Sequence, residues 1–203
     1  MSSWEAPMNV EPVRLERPTL HLEPLRMDHA ADLWRHYNPE IFRHTLDFPE
    51  DASFAAFEGW LGRCIAAPAS LDFVIRLGRP GTEGEPIGCT AYLEIRPPHR
   101  GLEIGRTWIA HAWQGTRVNP ESKYLLLRHA FDTLGALRVQ FKTDLNNVPS
   151  QRAIEKLGAR REGVLRRYQV RTNGLPRDTV IYSVIAEEWP AVKGALEGRL
   201  AGA

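Results

Sequence analysis

Residues 146–163 read NNVPSQRAIEKLGARREG, and this stretch indicates the fold better than any other part of the chain. A polar loop leads through Asn147 and Pro149 into a short helix, which we expect to end at Gly158 because glycine commonly follows the last helical residue. A strand that alternates around Val164 then begins. Such a loop brings an asparagine side chain close to the free N–H groups of a helix start, which suits an extended ligand with amide groups.

The flanking sequence alternates between strand-like and helix-like segments. Strands are predicted at 20–25, 71–77, 87–95, 102–109, 138–144, 164–171 and 178–185, and helices after Asp28, at 51–66, at 120–134, after Ser150 and at 190–200. This order favours an α/β (α+β) fold, with one mixed sheet flanked by helices. We therefore predict an irregular leader at 1–17, one folded domain at 18–190, and a C-terminal helix and tail at 191–203.

Composition restricts the class of protein. The 203 residues have a formal net charge of +1, which gives no bulk electrostatic case for binding nucleic acid or a membrane. There is no run of about 18 apolar residues, and the N-terminus lacks a secretion signal, so we expect a cytoplasmic protein. Cys64 and Cys89 form no CxxC pattern and the histidines form no HExxH pattern, so we expect neither a disulfide nor a metal site.

A second polar loop, WQGTRVNPESK at 113–123, leads from a strand into the strongest predicted helix. A helix start has unpaired N–H groups and the positive end of the helix dipole, which together hold anions such as pyrophosphate. Gly115 permits close approach of the backbone, while Asn119 suits the cap and Pro120 the first turn. The other side chains that we expect near the anion are Gln114, Thr116, Arg117, Ser122 and Lys123. A plain capped helix start is the alternative.

Several segments together resemble a known family. They are RPTLHLEPL, LEIGRTWI leading into WQGT, the AF pair at 130–131, the asparagine–serine–EKLGA–EG run at 147–163, and RDTVIYSVIAEEW at 177–189. In this order they resemble the GNAT superfamily of acetyl-CoA-dependent N-acetyltransferases. The branch they resemble most contains the ribosomal-protein N-terminal alanine acetyltransferases.

The resemblance implies a single GNAT-like domain, whose mixed, mostly antiparallel sheet is splayed open between the fourth and fifth predicted strands. Acetyl-CoA would lie in that opening as a cosubstrate, with its pantetheine paired to the exposed edge of the fourth strand. The thioester would lie near Ile109 and His111, where a backbone N–H would stabilise the oxyanion. The pyrophosphate would lie at the N–H groups of residues 114–123, and Asn147 would contact the pantetheine. A homodimer is common in this branch.

The sequence departs from the family pattern at two places. Gln114-Gly115 stands without the further spaced glycines of the usual phosphate loop. Many relatives also place a tyrosine, which protonates the leaving thiolate, seven residues after the asparagine, where this chain has Ile154. Ser150 is the substitute that we predict, although capping of the following helix would also explain this serine.

Acetyl transfer requires a neutral amine, so a general base is expected. Glu103 is the first candidate, because strand alternation would place it on one face with Gly105 and Thr107, beside the acetyl group. An exposed strand carboxylate is the plain alternative for this residue. His111 and Asp144 are weaker candidates for the base.

Aromatic residues and carboxylates in the segment 34–51 are the candidates for the pocket that binds the acceptor amine. The aromatic residues that either line its pocket or belong to the core are Trp34, Tyr37 and Phe42. The carboxylates that would attract a cationic amine are Glu40, Glu50 and Asp51. We expect an N-acetyltransferase that acts on a protein N-terminus or a small amine. The alternatives are a non-catalytic acetyl-CoA-binding module with regulatory partners and an unrelated α/β structural protein.

Overall fold

A computed structural model describes residues 8–79 and 81–202. Within those residues the chain forms an eight-stranded sheet in the order β1-β2-β3-β4-β5-β6-β8-β7. The strands are β1 (Leu15–Glu16), β2 (Leu20–Pro24), β3 (Leu71–Leu77), β4 (Glu85–Arg96), β5 (Gly101–Ile109), β6 (Arg138–Asp144), β7 (Arg160–Val170) and β8 (Pro176–Ile185). Neighbouring strands are antiparallel except β5 and β6, which are parallel. The predicted mixed, mostly antiparallel sheet is confirmed.

Helices cover both faces of this sheet. They are α1 (Ala30–Trp34), α2 (Phe54–Ala66), α3 (Val118–Arg128, continued by a π-helical turn at His129–Thr133), α4 (Val148–Lys156) and α5 (Trp189–Ala201). Successive side chains of a strand point to opposite faces, so each face has its own core. On β3, Phe73 and Ile75 lie in the core with α3, α4 and α5, whereas Val74 lies in the core with α1 and α2. The chain therefore forms one domain, in which a layer of helices packs on each face of the sheet.

The predicted leader has more structure than we expected. β1 lies within it and pairs with β2 through Leu15 and Leu22, and Met8 is buried in the core. Residues 1–7 of the leader lie outside the described residues. At the other end, α5 begins at Trp189, so the closing helix starts inside the segment that we assigned to the domain.

The sheet opens between β5 and β6, as the family resemblance implies for the strands at 102–109 and 138–144. The paired residues are Gly101 with Arg138, Leu102 with Val139, and Glu103 with Gln140. Beyond Glu103, the described residues of β5 have no pairing partner on β6. Parallel strands need a crossover connection, which is α3 here. The N-terminus of α3 therefore lies near the open end of β5.

A β-bulge at Arg106 corrects the prediction that Glu103, Gly105 and Thr107 share one face. Arg106 has a φ of 49°, and the pairing of β5 with β4 shifts by one residue there. The Thr107 hydroxyl consequently points to α3, where it accepts a hydrogen bond from the Lys123 ammonium. A Cβ on Gly105 would lie 2.8 Å from Glu103 Oε1, so Gly105 and Glu103 share the opposite face of the sheet, without Thr107.

Candidate active site

The N-terminus of α3 follows β5 after a 3-10 turn at His111–Trp113. α3 begins at Val118, two residues before the predicted start, and its N-cap is Arg117. The prediction of Asn119 as the cap is therefore wrong. The Thr116 hydroxyl instead accepts a hydrogen bond from the Val118 N–H at 3.3 Å, which satisfies one free donor of the helix start.

Polar side chains around this helix start hold the backbone in place. Their bonds are Gln114 Nε2 to the Ile109 carbonyl (3.0 Å), Thr116 Oγ1 to the Trp113 carbonyl (2.7 Å) and Ser122 Oγ to the Asn119 carbonyl (3.0 Å). Gly115 has a φ of 74°, a conformation that glycine adopts readily, and a Cβ there would meet nothing within 4 Å. The loop therefore offers an anion mainly its backbone N–H groups, with open space beside Gly115.

The two cations of this loop are not arranged as the sequence predicts. Arg117 Nε lies 3.0 Å from Glu121 Oε2, a fully buried carboxylate. Lys123 is only 6% exposed, and its ammonium donates to the hydroxyls of Thr90 (2.9 Å) and Thr107. Burial lowers the pKa of Lys123 to about 7. Lys123 thus lies in the interior, against the prediction that it faces the pyrophosphate.

The start of α4 forms the other side of the opening. Asn147 Oδ1 accepts a hydrogen bond from the Ser150 N–H at 3.1 Å, so Asn147 caps this helix and the capping role predicted for Ser150 is wrong. The amide nitrogen of Asn147 makes no hydrogen bond within the described residues and is available to a ligand. Ser150 lies one turn before Ile154, which is buried in the core, so the serine is on the inward side of α4.

Glu103 is buried at the point where β5 and β6 stop pairing, and the alternative of an exposed carboxylate is excluded. The residue is 6% exposed, and its Oε2 lies 3.1 Å from Lys142 Nζ on β6. Lys142 also contacts Glu94, which accepts a hydrogen bond from Gln140 Nε2 at 2.8 Å. Burial raises the pKa of Glu103 above its ordinary value, and the Lys142 ammonium partly offsets that rise. A raised pKa suits a general base, whereas the ion pair restrains its motion.

A cavity of about 840 Å³ lies at the end of β6. Its walls are the segment 37–52 that follows α1, the residues 144–146, and the hairpin of β7 and β8 at 167–178. Of the predicted aromatic wall, Tyr37 and Phe42 line the cavity, whereas Trp34 lies behind them, stacked on Tyr37 at 4.6 Å. Of the predicted carboxylates, Glu50 and Asp51 line it.

Asp144 fixes the inner end of this cavity. Its Oδ2 contacts Arg171 and lies 4.0 Å from Arg177 Nε, while its Oδ1 accepts a hydrogen bond from the Asn146 N–H at 2.7 Å. Arg171 also donates to the Thr45 carbonyl at 2.8 Å, so it ties the segment 37–52 to β6 and to the hairpin. With both oxygens occupied, Asp144 fits a positioning role rather than the base that we considered.

His44 and His111 differ in how far they are exposed. His44 lines the cavity, and burial lowers the pKa of its imidazole, which leaves the ring neutral near pH 7. Sequence reasoning missed this residue, because nothing in its spacing marks it. His111, predicted near the thioester, is exposed on the turn that follows β5.

Cys64 and Cys89 are buried free thiols, as the sequence predicts. Within residues 8–79 and 81–202, no group of three or more His, Cys, Asp or Glu is placed to hold a metal ion. In the same part of the chain, every helix is too short or too polar to cross a membrane.

Known proteins resemble this chain in sequence and in fold. Residues 19–160 match the acetyltransferase (GNAT) domain family. "Uncharacterized N-acetyltransferase YoaA" of Bacillus subtilis (strain 168) is 34% identical over 102 residues, which cover 50% of this chain and 56% of YoaA. The chain thus spans about half the length of this curated relative. A crystal structure of a "putative acetyltransferase" from T. thermophilus is 42% identical to this chain, with a TM-score of 0.88. The match covers 95% of this chain and 100% of the T. thermophilus chain. Mycobacterium smegmatis RimJ in complex with CoA-disulfide is 23% identical with a TM-score of 0.72 over 93% of each chain, a likeness of fold alone.

Proposed function

Because the chain belongs to the acetyltransferase (GNAT) domain family, we propose that it transfers the acetyl group of acetyl-CoA to a primary amine by direct attack in a ternary complex. The observation that carries this proposal is the opening between β5 and β6, with the start of α3 on one side and Asn147 on the other. This cleft combines an unpaired strand edge, an anion-binding helix start and an amide side chain. Those groups match the parts of an extended nucleotide thioester.

Each part of acetyl-CoA has a complementary group in the cleft. The pantetheine amides would pair with the free edge of β5 beyond Glu103, in the manner of an added strand. The pyrophosphate would bind the N–H groups around Gly115 and the first turn of α3, where the helix dipole favours negative charge. The free amide nitrogen of Asn147 would donate to a pantetheine carbonyl. The thioester would then lie near Ile109, at the end of β5.

The proposed reaction uses a general base on β5 and a hydrogen-bond donor on α4. We assign Glu103 as the base that takes a proton from the acceptor ammonium, directly or through water, because only the neutral amine has a lone pair for attack. A backbone N–H near Ile109 would stabilise the oxyanion, and cleavage of the C–S bond then releases the CoA thiolate, which takes up the proton that the acetylated nitrogen loses. Ser150 would donate a hydrogen bond to that thiolate, since Ile154 carries no donor. The acceptor is a protein N-terminus or a small amine.

A non-catalytic acetyl-CoA-binding module is the second candidate. The ion pair of Glu103 with Lys142 is the observation in its favour, because a neighbouring ammonium makes a carboxylate a weaker proton acceptor. This candidate predicts the same cosubstrate binding without turnover.

Two measurements separate these functions. A thermal shift with saturating acetyl-CoA tests the cleft. We expect acetyl-CoA to raise the Tm, and to raise it by less in Asn147→Ala than in the wild type. Release of free thiol in the presence of a panel of N-terminal peptides and small amines then tests transfer. An unchanged Tm would overturn acetyl-CoA binding, whereas binding without amine-dependent thiol release would favour the non-catalytic module.

A further inference from the structure

The charged side chains that line the cavity at the end of β6 differ in how fully they are paired. Each lining carboxylate has a partner within the described part of the chain. Asp51 accepts from the Ser53 N–H (2.8 Å), Asp178 accepts from the Arg167 N–H (2.6 Å), Asp144 contacts Arg171, and Glu50 lies 3.9 Å from Arg63. Every carboxylate of the lining therefore already has at least one partner in the fold.

The guanidinium groups are less completely paired. Arg43 and Arg167 are exposed in the lining, and their side chains make no hydrogen bond or ion pair within residues 8–79 and 81–202. Arg177 is only 6% exposed, and its Nη1 donates to the His44 carbonyl at 3.4 Å, whereas its Nε has no hydrogen-bond partner among the described residues and lies 4.0 Å from Asp144 Oδ2. A buried N–H without a partner costs free energy. The cavity thus has unused cationic donors at its inner end and at its rim.

Arg167 is held at this rim by an unusual backbone conformation. It has a φ of 48° and lies where the register of β7 and β8 shifts between Leu165 and Gln169. The Asp178 carboxylate fixes this conformation by accepting the Arg167 N–H. A non-glycine residue at positive φ costs of order 1 kcal/mol and persists where its surroundings determine it. Bulges beside functional sites often redirect a side chain, and this bulge directs Arg167 to the cavity.

We propose that the acceptor is a primary amine that also carries a carboxylate, and that Arg167, Arg43 and Arg177 bind this carboxylate. The proposal rests on the acetyl transfer proposed above and names the class of its acceptor. A guanidinium binds a carboxylate through two parallel N–H···O bonds, and the charge strengthens both. A free amino acid presents this chemistry, and so does an acidic side chain next to a peptide N-terminus. A polyamine fits poorly, because it carries no carboxylate and the unpaired guanidinium groups of Arg43 and Arg167 would repel its ammonium groups.

The test compares kcat/KM for acceptors that differ only in the carboxylate. One arm uses free amino acids against their α-carboxamides, and the other uses C-terminally amidated peptides with Asp against Asn in the second position. We expect a preference for the acid of about tenfold or more in one arm, which also identifies the source of the carboxylate. Equal values for acid and amide in both arms would overturn this inference while acetyl transfer itself persists. Absence of transfer to every acceptor, with acetyl-CoA still raising the Tm, would overturn the proposed function and this inference together.

Variants then assign the preference to residues. Arg167→Gln and Arg43→Gln should each lower kcat/KM for the acid about tenfold and leave kcat/KM for the amide unchanged. Arg166→Gln is the matched control, because it removes the same charge from the neighbouring residue, which does not line this cavity. The Tm of each variant reports on folding. An equal loss for acid and amide would overturn the role of these arginines in carboxylate binding.

Discussion

Lys142 Nζ lies 3.1 Å from Glu103 Oε2, and this ion pair joins β5 to β6 where the two strands separate. Lys142 lies two residues beyond Gln140, the residue of β6 that pairs with Glu103, so its side chain crosses the start of the opening. Its ammonium also contacts Glu94 and lies 5.5 Å from the centre of the Tyr168 ring. The proposed base is therefore buried with a cation that favours its ionised form.

Lys142→Met should move the acidic limb of the pH profile of kcat/KM to higher pH. Burial and the nearby Glu94 raise the pKa of Glu103 whereas Lys142 lowers it, so loss of the ammonium lets this pKa rise further. A shift of about one pH unit corresponds to about a tenfold loss of activity on the acidic limb. Lys142→Arg is the control, because it keeps the charge and should keep the limb. An unmoved limb in Lys142→Met would contradict Glu103 as the base.

Asn147 is expected to have two separable roles, since its oxygen caps α4 and its nitrogen is available to the pantetheine. Asn147→Ala should lower the free energy of unfolding by about 1 kcal/mol and also weaken acetyl-CoA binding. Asn147→Asp keeps the capping oxygen, so its stability should stay close to the wild-type value while acetyl-CoA binding weakens about tenfold for lack of the amide donor. Denaturant unfolding and calorimetric titration measure the two effects. Wild-type affinity in Asn147→Asp would contradict the pantetheine role.

Ser150→Ala should slow acetyl transfer about tenfold or more with little change in acetyl-CoA affinity or Tm. The Ser150 hydroxyl makes no hydrogen bond within the described residues, so its loss leaves no partner unsatisfied. Ser53→Ala provides the contrast, because the Ser53 hydroxyl accepts a hydrogen bond from the Ala56 N–H at the start of α2. That variant should lower stability and keep the rate of transfer. A wild-type rate in Ser150→Ala would remove this serine as the donor to the thiolate.

Local patterns in the sequence predicted the sheet well. The strands at 71–77 and 138–144 have the bounds of β3 and β6. In 138–144, Val139 and Phe141 alternate with Arg138, Gln140 and Lys142 in the sequence, and this period of two residues marks a strand directly. The bulge at Arg106 was not predictable, since an arginine with positive φ has no signal comparable to glycine. It alone moved Thr107 to the face opposite Glu103.

The parts of the site that the sequence missed depend on contacts between distant segments. Asn119 and Pro120 gave a plausible helix start, but α3 begins earlier, at Val118 after its N-cap Arg117, and this start leaves Lys123 in the second turn, away from the loop. The cavity forms only because the hairpin of β7 and β8 folds against the segment 37–52, where Arg171 reaches the Thr45 carbonyl. The spacing of residues within either segment does not indicate that the two segments are in contact.

Lys123→Met should flatten the rise of stability between neutral and alkaline pH. The pKa of Lys123 is lowered from 10.5 to about 7 by burial, so within this range the unfolded chain binds a proton that the folded chain does not. The free energy of unfolding therefore increases with pH across the range on account of this group, and it decreases as the buried amine becomes charged toward pH 7. In the variant, the hydroxyls of Thr90 and Thr107 keep their mutual hydrogen bond of 2.8 Å.

Lys123→Met should then be more stable than the wild type near neutral pH, by an amount on the order of a few kcal/mol. Urea unfolding at several pH values measures this difference. Lys156→Met, an exposed change on α4, is the control and should keep the wild-type slope. A Lys123→Met protein with the same pH slope as the wild type would show that the Lys123 ammonium is charged in the folded protein throughout this range.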